Sequence, residues 1–223
     1  AKMVDVMANI VKFWSLNEQQ EKAFRIVANH GTCVAPDQLL MHLGGMGGTG
    51  KSRVINALVE FFRARDESYR FVLMAPTGTA AALIGGSTYH SLLGLNKKNS
   101  AAAIEELREL LKRTDYALLD ECSMVGCFNM TQISARLCEI MGNYEKPFGG
   151  VNVIFVGDFA QLPPTGCLAL YSRKVTMVQS PKQSLIVILK ENMRQKGVSA
   201  EDQAFRTALG NLSILPIFVI YRK

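Results

Sequence analysis

The sequence predicts an α/β fold, a mostly parallel sheet with helices on both faces. Three observations carry this expectation. Short, continuous apolar runs read as strands buried on both sides, segments with apolar residues at helical spacing lie between them, and glycine-rich turns join one to the other. In chain order, Lys2, Asp5, Asn9 and Lys12 are spread among apolar residues, which reads as a short amphipathic helix and not as a signal-peptide core. Glu18 to Asn29 is expected to be a helix, with Ala23, Ile26 and Val27 at helical spacing behind the capping residue Asn17. Gln38 to Leu43 is an apolar run that stops at Gly44-Gly45, and Lys51 to Ala64 resumes a helical pattern through Val54, Leu58, Phe61 and Phe62. The same grammar then repeats. Phe71 to Ala75 is a strand, Pro76 to Gly78 a turn and Thr79 the start of a helix; Ala101 to Lys112 is a helix and Tyr116 to Leu119 a strand. A helix around Met124 to Met141, a polar loop from Asn143 to Gly150 and a strand from Val151 to Val156 follow.

Composition bounds the function classes. With 223 residues, 48% hydrophobic and 20% charged, the chain can bury a core and is neither disordered, collagenous nor a coiled coil. The formal charge of +6 favours anionic partners such as nucleotides or a nucleic-acid backbone. Five cysteines, an odd number with no C-x-x-C pair, suggest neither a disulfide framework nor a zinc ribbon and read as reduced thiols. The longest apolar run, Ile214 to Tyr221, is interrupted by Pro216 and falls far short of the roughly 20 residues that cross a bilayer. No membrane partner is expected. The ten methionines read as core filler.

Chemistry enters at Gly45-Met46-Gly47-Gly48-Thr49-Gly50-Lys51-Ser52, which fits G-x-x-x-x-G-K-[ST] between an expected strand and an expected helix. Glycines let the backbone wrap closely and aim successive N–H groups at phosphates. Lys51 adds a point charge, and Ser52 offers an oxygen to Mg²⁺ at the positive end of the helix. The second half of such a site is Asp120-Glu121, which ends the apolar run Tyr116 to Leu119. Asp120 can reach Mg²⁺ through water, and Glu121 can orient and deprotonate an attacking water, which hydrolysis requires. Asn96-Lys97-Lys98-Asn99 misses the guanine-reading N-K-x-D by its last residue and lies before the acidic pair, so a GTPase is disfavoured.

These motifs, with five further stretches in the same order, resemble the PIF-type DNA helicases of the 5′-to-3′ branch of superfamily 1, Helitron-borne members included. Leu16-Asn17-Glu18-Gln19-Gln20 is similar to the adenine-reading Q motif, with Gln20 at the matching position. Ala75 to Ala81 and Gly86 to Ser91 are similar to segments that touch single-stranded DNA, which assigns DNA contact to Pro76, Thr77, Thr88 and His90. Asp120 to Met124 matches the acidic motif, and Pro147 to Gly150 with Gly157-Asp158-Phe159-Ala160-Gln161-Leu162-Pro163-Pro164 is the most distinctive signature. Asn192-Met193-Arg194-Gln195 is similar to the segment that supplies an arginine to the γ-phosphate. The resemblance implies a RecA-like P-loop NTPase lobe that binds ATP and Mg²⁺. Its ATP-binding residues would be Gln20, Gly45, Gly47, Gly48, Thr49, Gly50, Lys51 and Ser52, its metal ligands Ser52 and Asp120, and its catalytic residues Lys51, Glu121, Gln161 and Arg194. By position alone Thr77 and Thr88 could equally be helix caps, and His90 a packed core histidine.

The resemblance further implies an ATP-dependent helicase acting on single-stranded DNA in replication, repair, recombination, transposition or telomere maintenance, with nuclear and alternatively mitochondrial residence. The expected layout is an ATPase lobe over 1–195 and, over 196–223, the truncated start of a second lobe with an apolar tail. Because such helicases hold ATP between two lobes, the chain by itself is expected not to unwind DNA. The alternative reading is a nucleotide- or DNA-binding remnant without turnover. A recombinase-type ATPase would leave Gln20, Gln161 and Arg194 without a use.

Overall fold

The computed structural model describes residues 3–96, 100–170 and 184–189. Helix α1 (Met3–Phe13) and helix α2 (Glu18–His30) precede strand β1 (Leu40–Gly45), and helix α3 (Lys51–Arg63) leads to strand β2 (Phe71–Ala75). Helix α4 (Gly78–Leu83), strand β3 (Ser87–Thr88), helix α5 (Tyr89–Leu92) and helix α6 (Ala101–Leu111) come next. Strand β4 (Tyr116–Leu119), helix α7 (Cys127–Met141), strand β5 (Asn152–Gly157) and strand β6 (Ser184–Leu189) complete the order. The six strands form one sheet in the order β3-β2-β4-β5-β1-β6, and every pairing is parallel.

The sequence pattern explains the layers. Strands β1 and β4 are buried at every position, as a parallel sheet covered on both faces requires. Alternate residues of β1 point to opposite faces, so Met41 and Leu43 join one core with Phe24, Ile55, Leu58 and Phe61, while Leu40 joins a second with Ile133, Leu137 and Phe159. Helix α2 begins where Asn17 predicts, in a capping box closed by Gln20.

The expected elements stand within about three residues of their predicted ends. The widest shift is at the start of the helix before β5. The helix expected around Met124 to Met141 is a 3-10 turn at Cys122–Met124 followed by α7, which starts only at Cys127. Glu121 has left-handed backbone angles (φ 50°, ψ 39°), which no α-helix tolerates, so the chain must turn before α7 begins. Strands β3 and β6 have no counterpart in the sequence reading, and helix α5 is anticipated only by the reading of Thr88 as a helix cap. The proposed second-lobe start over 196–223 lies outside the described residues.

Candidate functional site

Three neighbouring strands, β4, β5 and β1, end side by side, and the acidic pair, the Gly157-to-Gln161 segment and the glycine loop follow their carboxyl ends. Ligands of open parallel sheets bind at such ends. The glycine loop is tight for identifiable reasons. A Cβ at Gly45 would lie 2.6 Å from Thr49 Oγ1 and 2.9 Å from the Leu189 carbonyl, and Gly48 and Gly50 have φ of 89° and 86°. Thr49 is fully buried and its hydroxyl donates to the Met46 carbonyl at 2.9 Å. Helix α3 then starts at Lys51 behind Gly50, which supplies no side-chain cap, so its first N–H groups have no capping side chain at the positive end of the helix. That is an anion site by construction.

Lys51 lies over this loop, its Nζ donating to the Gly45 carbonyl at 2.5 Å and the Met46 carbonyl at 3.2 Å. Burial pulls its proton affinity below the ordinary lysine range, against the attraction of Asp158, Glu121 and Asp120. The acidic pair is shifted the other way. Burial raises the Asp120 carboxyl, opposed by the Glu121 N–H that donates to it at 2.9 Å and by Lys51. Burial, then the like charge of Asp120, raises Glu121. A carboxylate made more basic in this way is a better proton acceptor near neutral pH.

Gln161 is exposed and reaches back to the loop: a side chain at Gly47 would come within 3.2 Å of its Nε2. Its segment is held by Asp158, whose Oδ1 accepts from the Ala160 N–H at 3.0 Å and whose carbonyl accepts from the Gln161 N–H at 3.0 Å. Lys51, Asp120, Glu121, Asp158 and Gln161 are thus brought around one loop.

Gln20 sits beneath the loop, not open to a base. It is fully buried, its amide N–H donates to the Thr49 carbonyl at 2.9 Å, and its amide oxygen accepts from the Asn17 N–H at 3.0 Å. Thr77 and Thr88 are helix caps, accepting from the N–H groups of Ala80 and Ser91 at 3.2 Å each. His90 is half-buried and stacked on Tyr89 at 4.0 Å, and Pro76 is half-buried after β2. These four lie at the ends of β2 and β3, on the far side of β4 from the phosphate loop. The acidic pair stands between the two groups, and the Asp120 N–H donates to the Met74 carbonyl of β2. Arg194 lies outside the described residues. The sequence reading missed His42, a buried histidine in β1 stacked on Phe159; its only signal was a lone polar residue in an apolar strand.

The fold and the loop define the chain as a P-loop NTPase of the parallel α/β class, matched by solved helicase structures of that architecture. Residues 15–212 match the PIF1-like helicase family, to which the chain belongs. It is 32% identical over 190 residues to the ATP-dependent DNA helicase PIF1 of Trypanosoma brucei brucei, covering 80% of this chain and 19% of that protein. Among solved structures it is similar to the Pif1 helicase from Bacteroides in complex with ADP-AlF3 and ssDNA, at a TM-score of 0.65 and 26% identity, covering 82% of this chain and 44% of that one. The Pif1 helicase from Candida albicans matches at a TM-score of 0.62 and 28% identity, covering 88% and 43%. The chain therefore spans less than half the length of each.

Proposed function

We propose that this chain is the ATP-binding and ATP-hydrolysing lobe of a DNA helicase that moves on single-stranded DNA. The observation that carries the reading is the convergence of Lys51, Glu121 and Gln161 on one uncapped glycine loop at the ends of three adjacent strands. In this reading the first N–H groups of α3 and the Lys51 ammonium bind the β- and γ-phosphates. Glu121, raised by burial and by Asp120, takes the proton of the attacking water. Gln161 orients that water or the γ-phosphate from its place beside Gly47, and Arg194 is assigned the transition-state charge by family likeness.

Mg²⁺ fits the donors present. Among the described residues no group of three or more His, Cys, Asp or Glu could hold a metal ion. Ser52, exposed on the first turn of α3, and Asp120, a half-buried carboxyl, are the hard oxygen donors that a cation shared with phosphates takes in small number. When bound, the ion would neutralise phosphate charge.

Single-stranded DNA is assigned to the β2–β3 end, where Pro76, Thr77, Thr88 and His90 lie, and the +6 charge supports a backbone-led, salt-sensitive contact. Capping does not remove the threonine O–H groups, which remain donors for phosphate oxygens. The Bacteroides relative, solved in complex with ADP-AlF3 and ssDNA, supports both ligands. Duplex unwinding we assign to a whole helicase, of which these residues span 43–44% in the two solved relatives. Nuclear, or alternatively mitochondrial, residence and roles in repair, recombination or telomere maintenance rest on the family alone.

The test is a titration of a fluorescent ATP analogue with Mg²⁺ into the wild type and Lys51→Ala, beside oligonucleotide binding at rising salt. Nucleotide binding that Lys51→Ala abolishes, with DNA affinity falling steeply as salt rises, supports the reading. Equal nucleotide binding by both proteins, or salt-independent DNA binding, refutes it.

A further inference from the structure

We propose that His42 is a positioning residue: its ring, stacked on Phe159, holds the Gly157-to-Gln161 segment so that Gln161 meets the phosphate loop. This rests on the reading of Gln161 as the residue facing the γ-phosphate. The ring centroids of His42 and Phe159 are 5.2 Å apart with planes 29° from parallel. His42 lies in β1 three residues before Gly45, and Phe159 two residues before Gln161. The stack therefore fastens together the two chain segments that meet again where Gln161 Nε2 approaches Gly47.

Two observations separate this from ordinary core packing. His42 is 6% exposed, yet its Nε2 has no hydrogen-bond partner, so an apolar side chain would fill the position without leaving a buried polar atom bare. The ring's fit is also built in from the loop side, since a Cβ at Gly44 would stand 3.0 Å from that Nε2. His42 is also paired with Phe155 in the register of β1 and β5, the strand that carries the Gln161 segment. Held neutral by burial, with Lys51 acting in the same direction, the imidazole adds no charge beside the phosphate site.

The test compares His42→Leu, which fills the volume without a flat ring, with His42→Phe, which keeps the stack. Two readouts are taken on the full chain: amide hydrogen exchange at Ala160 and Gln161 without nucleotide, and ATP turnover with single-stranded DNA. His42→Leu is expected to speed exchange at those two amides and to lower kcat roughly two- to tenfold, the range one aromatic pair is worth, with KM for ATP unchanged. His42→Phe is expected to restore both, and His42→Leu to cost nothing further in a Gln161→Ala background. Unchanged exchange in His42→Leu, no rescue by His42→Phe, or losses that multiply in the double variant overturn the proposal. If His42→Leu does not fold, His42→Met replaces it. A wild type without turnover would sink the ATPase reading alone, because the exchange comparison still decides the role of His42.

Discussion

Replacing Glu121 by glycine separates what this residue costs the fold from what it does in the site. Glu121 has φ 50° and ψ 39°, a left-handed conformation that costs an L-residue roughly 1–2 kcal/mol. Glycine removes that strain but adds about 0.5–1 kcal/mol of unfolded-state entropy, leaving a net gain of up to about 1.5 kcal/mol. Burial of the carboxylate adds to the gain at neutral pH, since a carboxyl raised in the folded state destabilises it once ionised. For a chain of this size, 1 kcal/mol shifts Tm by about 2–4 °C. Glu121→Gly is therefore expected to melt a few degrees higher than the wild type at pH 7 while losing ATP hydrolysis by about 10²- to 10⁴-fold, the worth of a general base. The advantage should shrink as pH falls below the raised Glu121 value, where the wild-type carboxyl becomes neutral. The assay pairs thermal melts at pH 5 and 7 with single-turnover hydrolysis. A variant that melts lower at pH 7 would refute the strain argument, and one that hydrolyses ATP at the wild-type rate would show that the strained acid is not there for chemistry.

Other outcomes follow from single contacts. Burial lowers His42 from 6.5 to about 4, so its contribution to stability is present above pH 6.5 and is lost as pH falls toward 4. That window is worth about 3 kcal/mol. Asp120 and Glu121 titrate in the opposite sense, so urea melts of His42→Phe against wild type at pH 7 and 4.5 should show the variant gaining relative stability in acid. Gly86→Ala would place a Cβ 2.5 Å from the Leu73 carbonyl, and a loss of about 1–3 kcal/mol is expected by chemical denaturation. Gln20→Ala removes a cap contact and the hydrogen bond to Thr49, and should cost about 1 kcal/mol of stability and raise KM for ATP more than it lowers kcat.

What the sequence made legible follows from how local the signal is. The Asn17 capping box, the Gly45-to-Ser52 loop and strands β2 and β4 are specified within a few residues, and they stand where expected. Strand β3 is two residues long and exists only because Met74 and Ala75 offer an edge to Ser87 and Thr88. No periodicity announces so short a strand. The left-handed turn at Glu121 is set by tertiary position, and so the start of α7 was placed too early. Among the candidate site residues, Lys51, Asp120 and Glu121 share one neighbourhood because strand order puts their loops together, a fact no local pattern contains. The burial of Gln20 against Thr49 and the stacking of His42 on Phe159 depend on contacts between segments far apart in sequence, and only the fold reveals them.

The most direct test of the ATPase account is the rate of ATP hydrolysis by this chain, with and without single-stranded DNA, beside Lys51→Ala and Glu121→Gln. The account predicts a DNA-stimulated rate that both substitutions remove, with nucleotide binding lost in Lys51→Ala and kept in Glu121→Gln. Hydrolysis that survives either substitution would contradict it, as would tight nucleotide binding without any turnover in the presence of DNA.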